Sequence, residues 1–386
     1  MPPFDADVII VGGGPAGLST ALHLVQMDAN WAGRILLLEK AHYPREKLCG
    51  GGITLPGMEV LASLGLMLNV PHVPVHEVRL QYRQHLYLLH SEPAFIVVRR
   101  NEFDHWLAQQ ARARGVRIIE GAGVTAISAG DDGVRVHTDA RSYRAQALVA
   151  ADGANSTVRR LLRWGRGHKA RLLEILTPAD AHSEAFTRGV ARFDWTPMDA
   201  GLQGYYWDFP SLVAGRAMMN RGVFDSQFYV KRPKPDLPAV LAHMMAKRGL
   251  RLADYQLKGH PIHWWTPTSK LARHRVLLTG DAAGADPLLG EGIAFALGYG
   301  QVAARAIATA FAANDFSFAD YNERVRNHWL TRQLHARHFG ARIAFGSLRW
   351  QPLVHALWRS APWLFRALVA LRPDYFPLTE QRMSRQ

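Results

Sequence analysis

An apolar run from Asp7 to Val11 leads straight into Gly12-Gly13-Gly14-Pro15-Ala16-Gly17, and this junction restricts the fold more than anything else in the 386 residues. A buried strand that stops on glycines, followed by helical spacing from Pro15 to about Met27, reads as the opening of a dinucleotide-binding βαβ unit. The glycines permit a tight turn and a close backbone approach to a pyrophosphate, which would sit at the positive end of the helix. Arg34 to Glu39 reads as the next strand. Glu39 lies 22 residues beyond Gly17, where a carboxylate can accept hydrogen bonds from a ribose. The cofactor-binding set therefore starts with Gly12, Gly14, Pro15, Ala16, Gly17, Glu39 and the adjacent Lys40. A strand-to-helix corner that binds nothing is the plainer alternative, and the loop by itself does not separate one dinucleotide from another.

Tyr43 to Pro56, rich in glycine and proline, reads as a loop. β-leaning segments fill Val75 to Val98, and Asn101 to Arg114 has helical spacing through Phe103, Leu107 and Ala111. Val116 to Glu120, Val124 to Ala129, Val134 to Thr138 and Ala147 to Ala150 read as short strands of a small meander, with a turn at Asp131-Asp132-Gly133. Aromatic and β-forming residues crowd Leu172 to Trp265, which suggests a second sheet. Val276 to Thr279 returns to a buried-strand pattern, and Gly292 to about Ala313 reads as a long Ala-rich helix. The expected organisation is a discontinuous Rossmann-like α/β domain (1–70, 97–170 and 268–320), a β-rich domain (71–96 and 171–267) and a helical C-terminal region (321–386).

Two further segments narrow the ligand. Ala150 to Arg160 follows one strand and contains Asp152-Gly153; Leu277 to Gly284 follows another and contains Gly280-Asp281. With the glycine loop, these make the chain resemble the FAD-dependent aromatic-hydroxylase-like flavoproteins, a superfamily that includes the geranylgeranyl reductases. The resemblance runs from Asp5 to about Ala310. It implies FAD as cofactor, contacts from Asp152 and Asp281, and an arginine near FAD at Arg100 in Arg-x-x-Phe-Asp. Turn caps are the structural alternative for both aspartates, and a solvated helix-start charge is the alternative for Arg100. Gly290, Gly292 and Ile293 precede the long helix, whose amides and partial positive charge suit an anionic reduced flavin.

Within that superfamily, Lys47-Leu48-Cys49-Gly50-Gly51-Gly52-Ile53 is similar to the cysteine-glycine segment of geranylgeranyl reductases. Tyr205-Tyr206-Trp207-Asp208-Phe209-Pro210 matches their Tyr-x-Trp-x-Phe-Pro pattern. The resemblance implies reduction of carbon–carbon double bonds in a prenyl or other long apolar chain by hydride from reduced FAD. Such chemistry needs a dry pocket, which Tyr205, Trp207, Phe209 and Pro210 are expected to line, and a proton donor, for which Cys49 and Glu291 are the candidates. Sheet core, an inert buried thiol and a solvated carboxylate are the respective alternatives. The main functional alternative is a monooxygenase acting through a flavin C4a-hydroperoxide on an aromatic or apolar substrate. Halogenation and a non-catalytic flavin-binding role rank below it.

No second G-x-G-x-x-G unit follows residue 60, so the reductant is expected to dock transiently, whether NAD(P)H, a separate flavin reductase or a ferredoxin. The net charge of +14 attracts anions, yet no nucleic-acid-binding signature accompanies it, and no nucleic-acid partner is expected. Cys49 is the sole cysteine, which excludes an intrachain disulfide and a multi-cysteine metal site. A cytoplasmic protein is expected, without a spanning helix. Arg349 to Arg372 resembles an interfacial helix pair, broken by Pro352 and Pro362, that would touch the inner membrane surface; packing against the second domain is the alternative.

Overall fold

The computed structural model describes residues 4–165, 167–350 and 352–360. A six-stranded sheet carries the glycine junction at its centre: Val8–Val11 is fully buried and pairs in parallel with Ile35–Leu38 on one side and Ala147–Ala150 on the other. Val276–Leu278 and Arg117–Ile119 extend it outward, and Ala272–Arg273 closes one edge in antiparallel fashion. Both faces are covered, which is why these strands read as unbroken apolar runs.

Behind the strands, the Pro15–Met27 helix packs on the long helix Ile293–Ala313. Gly300 sets their closeness, since a β-carbon there would lie 2.5 Å from the Ser19 side chain. Ser19 Oγ donates across the interface to the Leu297 carbonyl at 2.7 Å. The long helix is apolar and long enough to cross a membrane, but 78% of its apolar window is buried inside the protein, which marks it as a core helix.

The second sheet has eight strands in the order Lys258–Trp264, His168–Pro178, Arg216–Asp225, Gly204–Val213, Val190–Asp194, His72–Tyr82, His85–Val98 and Gly52–Thr54. One face packs on the helix Leu237–Ala246 through Ile175, Tyr206 and Val223. The other turns toward the first domain and carries Tyr205, Trp207, Phe209 and Phe224. The helix Trp329–Gly346 lies over this second face. A short helix at 352–360 follows, held by Trp358, which stacks on Tyr82 at 5.2 Å between ring centroids.

Two expectations need correction, and a third lies partly outside the described residues. The loop expected from Tyr43 to Pro56 contributes a strand, Gly52–Thr54, to the second sheet, so that sheet draws on a segment assigned to the first domain. The meander consists of Val124–Gly130, Gly133–Thr138 and Ser142–Ala145 only; the flanking segments at 117–119 and 147–150 joined the parallel sheet instead. Of the expected C-terminal interfacial segment, the part after residue 360, including Pro362, lies outside the described residues. The preceding turn packs Val354 and Trp358 inward and leaves Leu353 exposed.

Candidate active site

A cavity of about 1670 Å³ opens between the two sheets and runs from the glycine loop to the helix Trp329–Gly346. At its inner end the three motif glycines have different duties. Gly12 has φ +106°, and a β-carbon would come within 2.4 Å of the Ala151 carbonyl. Gly17 packs helix on strand, since a β-carbon there would meet the Gly12 carbonyl at 2.1 Å. Gly14 is different: the nearest atoms to its absent side chain are the Arg45 and Arg100 guanidinium nitrogens, 3.8 and 3.9 Å away. That open space faces an uncapped helix N-terminus with Pro15 at its start and no acidic residue in its first turn.

An anion fits here on three counts: free amides at a helix start, a cradle that only glycine leaves open, and two arginines. Arg100 makes a bidentate pair with Asp104 at 2.7 and 2.8 Å, and Arg45 reaches the same carboxylate at 3.1 Å. His260 lines the cavity, and its Nε2 has no partner among the described residues. Its pKa is lowered to about 3 by burial and by the positive field of Lys47, Arg100, Lys40 and Lys169. Glu39 is buried and accepts the Gly13 amide at 2.8 Å and the Ala41 amide at 3.0 Å, with Arg45 3.3 Å away. It braces the glycine loop as well as lining the cavity. Lys40 is exposed at the cavity edge.

The two aspartates divide. Asp152 lines the cavity, but both its oxygens are engaged, by Ser156 Oγ at 2.6 Å and the Val158 amide at 2.9 Å, at the start of the short helix Thr157–Leu161. Asp281 points toward the start of the long helix, 3.4 Å from where a Gly292 β-carbon would lie. Among the described residues its carboxylate has no hydrogen-bond partner, which leaves it able to accept a ligand hydroxyl. Gly290, Gly292 and Ile293 all line the cavity, and the helix they begin has neither a side-chain cap nor an acidic residue in its first turn.

Further along, the Cys49 turn presses against the aromatic wall. A β-carbon on Gly50 would lie 3.1 Å from the Phe209 ring and 3.7 Å from Trp207 Nε1, so the two motif segments meet face to face. Tyr205, Trp207 and Phe209 line the cavity. Pro210 does not: strand alternation places it on the opposite face with Tyr206 and Asp208, buried away from the opening. Cys49 lines the cavity half-buried. Its sulfur accepts the Gly51 amide at 3.4 Å, and among the described residues nothing accepts its S–H proton.

Glu291 has both carboxylate oxygens engaged by neighbouring side chains. Its two oxygens accept hydrogen bonds from Thr54 Oγ1 and, at 2.9 Å, from Arg337. Arg337 also binds the fully buried Asp286 at 2.9 Å, and Asp286 in turn holds the Leu288 and Leu289 amides at 2.7 and 3.2 Å. Tyr205 donates to the Leu289 carbonyl from below. Glu291 therefore ties the loop to the C-terminal helix.

Sequence reasoning missed Arg45, Asp104 and Arg337, and also a buried acid behind the Cys49 turn. Glu174 is 2% exposed. It accepts from Asn220 at 3.2 Å and Arg99 at 3.4 Å, while its second oxygen has no partner among the described residues. Asn220 also binds the Cys49 carbonyl at 3.0 Å and the Trp207 indole at 2.9 Å. Burial pushes Glu174 from 4.5 up to about 7 despite the pull of Arg99, so the folded protein holds this proton more tightly than the unfolded chain. Its contribution to stability is complete below about pH 4.5 and is lost as pH rises through about 7. Glu174→Gln should gain on the parent protein between acid and mildly alkaline pH, by up to about 3 kcal/mol. Urea unfolding at both ends of that range checks this; a difference that does not change with pH would contradict it.

Fold and cavity together define a two-domain flavoprotein with a discontinuous dinucleotide domain and an aromatic-walled chamber. Residues 5–210 match the FAD-binding domain family FAD_binding_3, and the chain belongs to that family. It is an FAD-dependent oxidoreductase. The chain is 28% identical over 340 residues to the menaquinone reductase of Mycolicibacterium smegmatis, covering 81% of this chain and 79% of that protein. It is 26% identical over 343 residues to digeranylgeranylglycerophospholipid reductase 1 of Methanothermobacter thermautotrophicus, covering 83% and 82%. Its fold is that of a geranylgeranyl bacteriochlorophyll reductase-like protein from Thermoplasma acidophilum, with a TM-score of 0.73 at 21% identity over 90% of this chain and 89% of the other.

Proposed function

We propose that the protein saturates isolated carbon–carbon double bonds in a prenyl or other long apolar substrate. The observation that carries this reading is the Cys49–Gly52 turn packed against Trp207 and Phe209, inside a cavity continuous with the dinucleotide cradle. Two relatives are reductases of menaquinone and of digeranylgeranylglycerophospholipid, and the second name contains the prenyl chain proposed here.

FAD, once bound and reduced, supplies the hydride. The residues that would hold it are the Gly12–Gly17 loop, Arg45, Arg100, Asp281 and the Gly290–Ile293 turn. The aromatic wall keeps water from the double bond and orients the chain. The proton for the second carbon comes from the Cys49 thiol, whose sulfur is held by Gly51 while its own proton has no acceptor among the described residues. Asn220 positions that turn through the Cys49 carbonyl.

Removal of a general acid typically costs about 10²–10⁴-fold in rate. Cys49→Ala is therefore expected to lower anaerobic turnover of a geranylgeranyl lipid at least about a hundredfold while retaining its FAD. Product formation, measured as gain of two hydrogens by mass spectrometry, checks this. Unchanged turnover would remove Cys49 from the reaction.

A further inference from the structure

The mouth of the cavity has the chemistry of a surface that meets lipid. On the helix Trp329–Gly346, Arg332, Ala336, Phe339 and Ile343 recur at helical spacing and line the opening. Phe339 is 63% exposed and Ile343 44%. Beyond the turn, Trp350 is 62% and Leu353 39% exposed. Four of the nine large hydrophobics that the described residues expose thus belong to one short stretch of chain.

The charge around them has one sign. From Arg324 to Ser360 there are seven arginines and no aspartate or glutamate. Arg332, Arg342, Arg349 and Arg359 are exposed and, among the described residues, have no carboxylate partner. Arg337, on the helix Trp329–Gly346, is turned inward to Asp286 and Glu291. Apolar side chains ringed by unpaired arginines are what an anionic bilayer surface attracts, through burial of Trp, Phe and Ile among the headgroups and Coulomb attraction to the phosphates. Behind this rim Ala344, Val354, Leu357 and Trp358 continue the lining inward, so a chain leaving the bilayer need not cross water.

We propose that this face, built on Phe339, Ile343, Trp350 and Leu353 with Arg332, Arg342, Arg349 and Arg359, docks on anionic phospholipid membranes and admits the substrate directly from the bilayer. The identity of the incoming molecule rests on the prenyl-reductase reading; the docking does not. Unlike a spanning helix, this surface binds reversibly and responds to salt.

The test is flotation of the full-length holoenzyme with vesicles of phosphatidylcholine alone or with phosphatidylglycerol added. Binding to the anionic vesicles, weakened by high salt and by zwitterionic composition, is expected. Arg342→Glu/Arg349→Glu and, separately, Trp350→Ser should each lower the bound fraction about tenfold or more, with flavin content and melting temperature checking that both variants are folded. Three results would overturn the proposal: absence of vesicle binding, binding indifferent to lipid charge, or a homodimer in sedimentation that Trp350→Ser dissociates. Vesicle binding without alkene reduction would support the docking and reject the reaction assigned above.

Discussion

Gly14→Asp is expected to leave the protein folded and nearly devoid of flavin. Gly14 sits at the N-cap of the Pro15–Met27 helix in an extended conformation, φ −87° and ψ −176°, which any residue adopts. Nothing closer than 3.8 Å would meet its β-carbon. Aspartate is a favoured N-cap residue, worth roughly 0.5–2 kcal/mol over alanine, and here its carboxylate would fall beside Arg45 and Arg100. The same substitution places a negative charge where the cofactor's pyrophosphate is to lie and pairs off the arginines meant for it. Affinity for FAD should fall by at least about a hundredfold, while the melting temperature of the flavin-free protein holds or rises. Gly12→Asp makes the contrast: with φ +106° and the Ala151 carbonyl 2.4 Å away, it should lose the fold along with the flavin. Flavin absorbance of the purified variants and thermal unfolding of their apo forms separate the two cases. Full flavin occupancy in Gly14→Asp would mean that the cradle is not the pyrophosphate site.

Arg337→Met is expected to be the most destabilising single change on the C-terminal helix. Asp286 is fully buried, and burial pushes its carboxyl up while Arg337 pulls it down. Removing the guanidinium strands Asp286 and Glu291 together. Loss of one partner of a buried ion pair costs about 3–5 kcal/mol. Without Arg337 the Asp286 value rises further, so the folded state of the variant binds the proton more tightly than the unfolded chain. Its deficit should be greatest near neutral pH and shrink in acid. Adding Asp286→Asn should recover part of the loss, because the stranded charge is gone. Denaturant midpoints at two pH values check both statements, and a deficit independent of pH would show that Arg337 contributes by packing alone.

The difference between what could be read along the chain and what could not follows from distance in sequence. The glycine loop, the Asp281 turn and the Cys49 segment are local patterns whose backbone demands are written within a dozen residues, and all of them line the cavity. Tyr205, Trp207 and Phe209 were legible as one face because strand periodicity is two, and the same periodicity excludes Pro210, which motif matching alone had placed with them. Asp152 is similar: its motif is local, and so is the Ser156 and Val158 cap that absorbs its carboxylate. Arg45 with Asp104, Glu174 with Asn220 and Arg337 with Asp286 were invisible because each pair joins segments brought together only by packing. Glu291 shows the same limit, since its ion-pair partner is an arginine 46 residues away. Gly52–Thr54 is too short to announce itself as a strand; it exists because the edge at Phe95–Val97 offers it partners.

Alkene reduction is tested most directly by reducing the flavin of the holoenzyme anaerobically with dithionite, mixing it rapidly with a geranylgeranyl lipid, and following the flavin spectrum. Reoxidation by the lipid in the absence of oxygen is expected, with one double bond saturated for each flavin reoxidised. If the flavin stays reduced with the lipid and is oxidised only when oxygen is admitted, with an oxygenated product, the protein is a monooxygenase and the reductase reading is wrong.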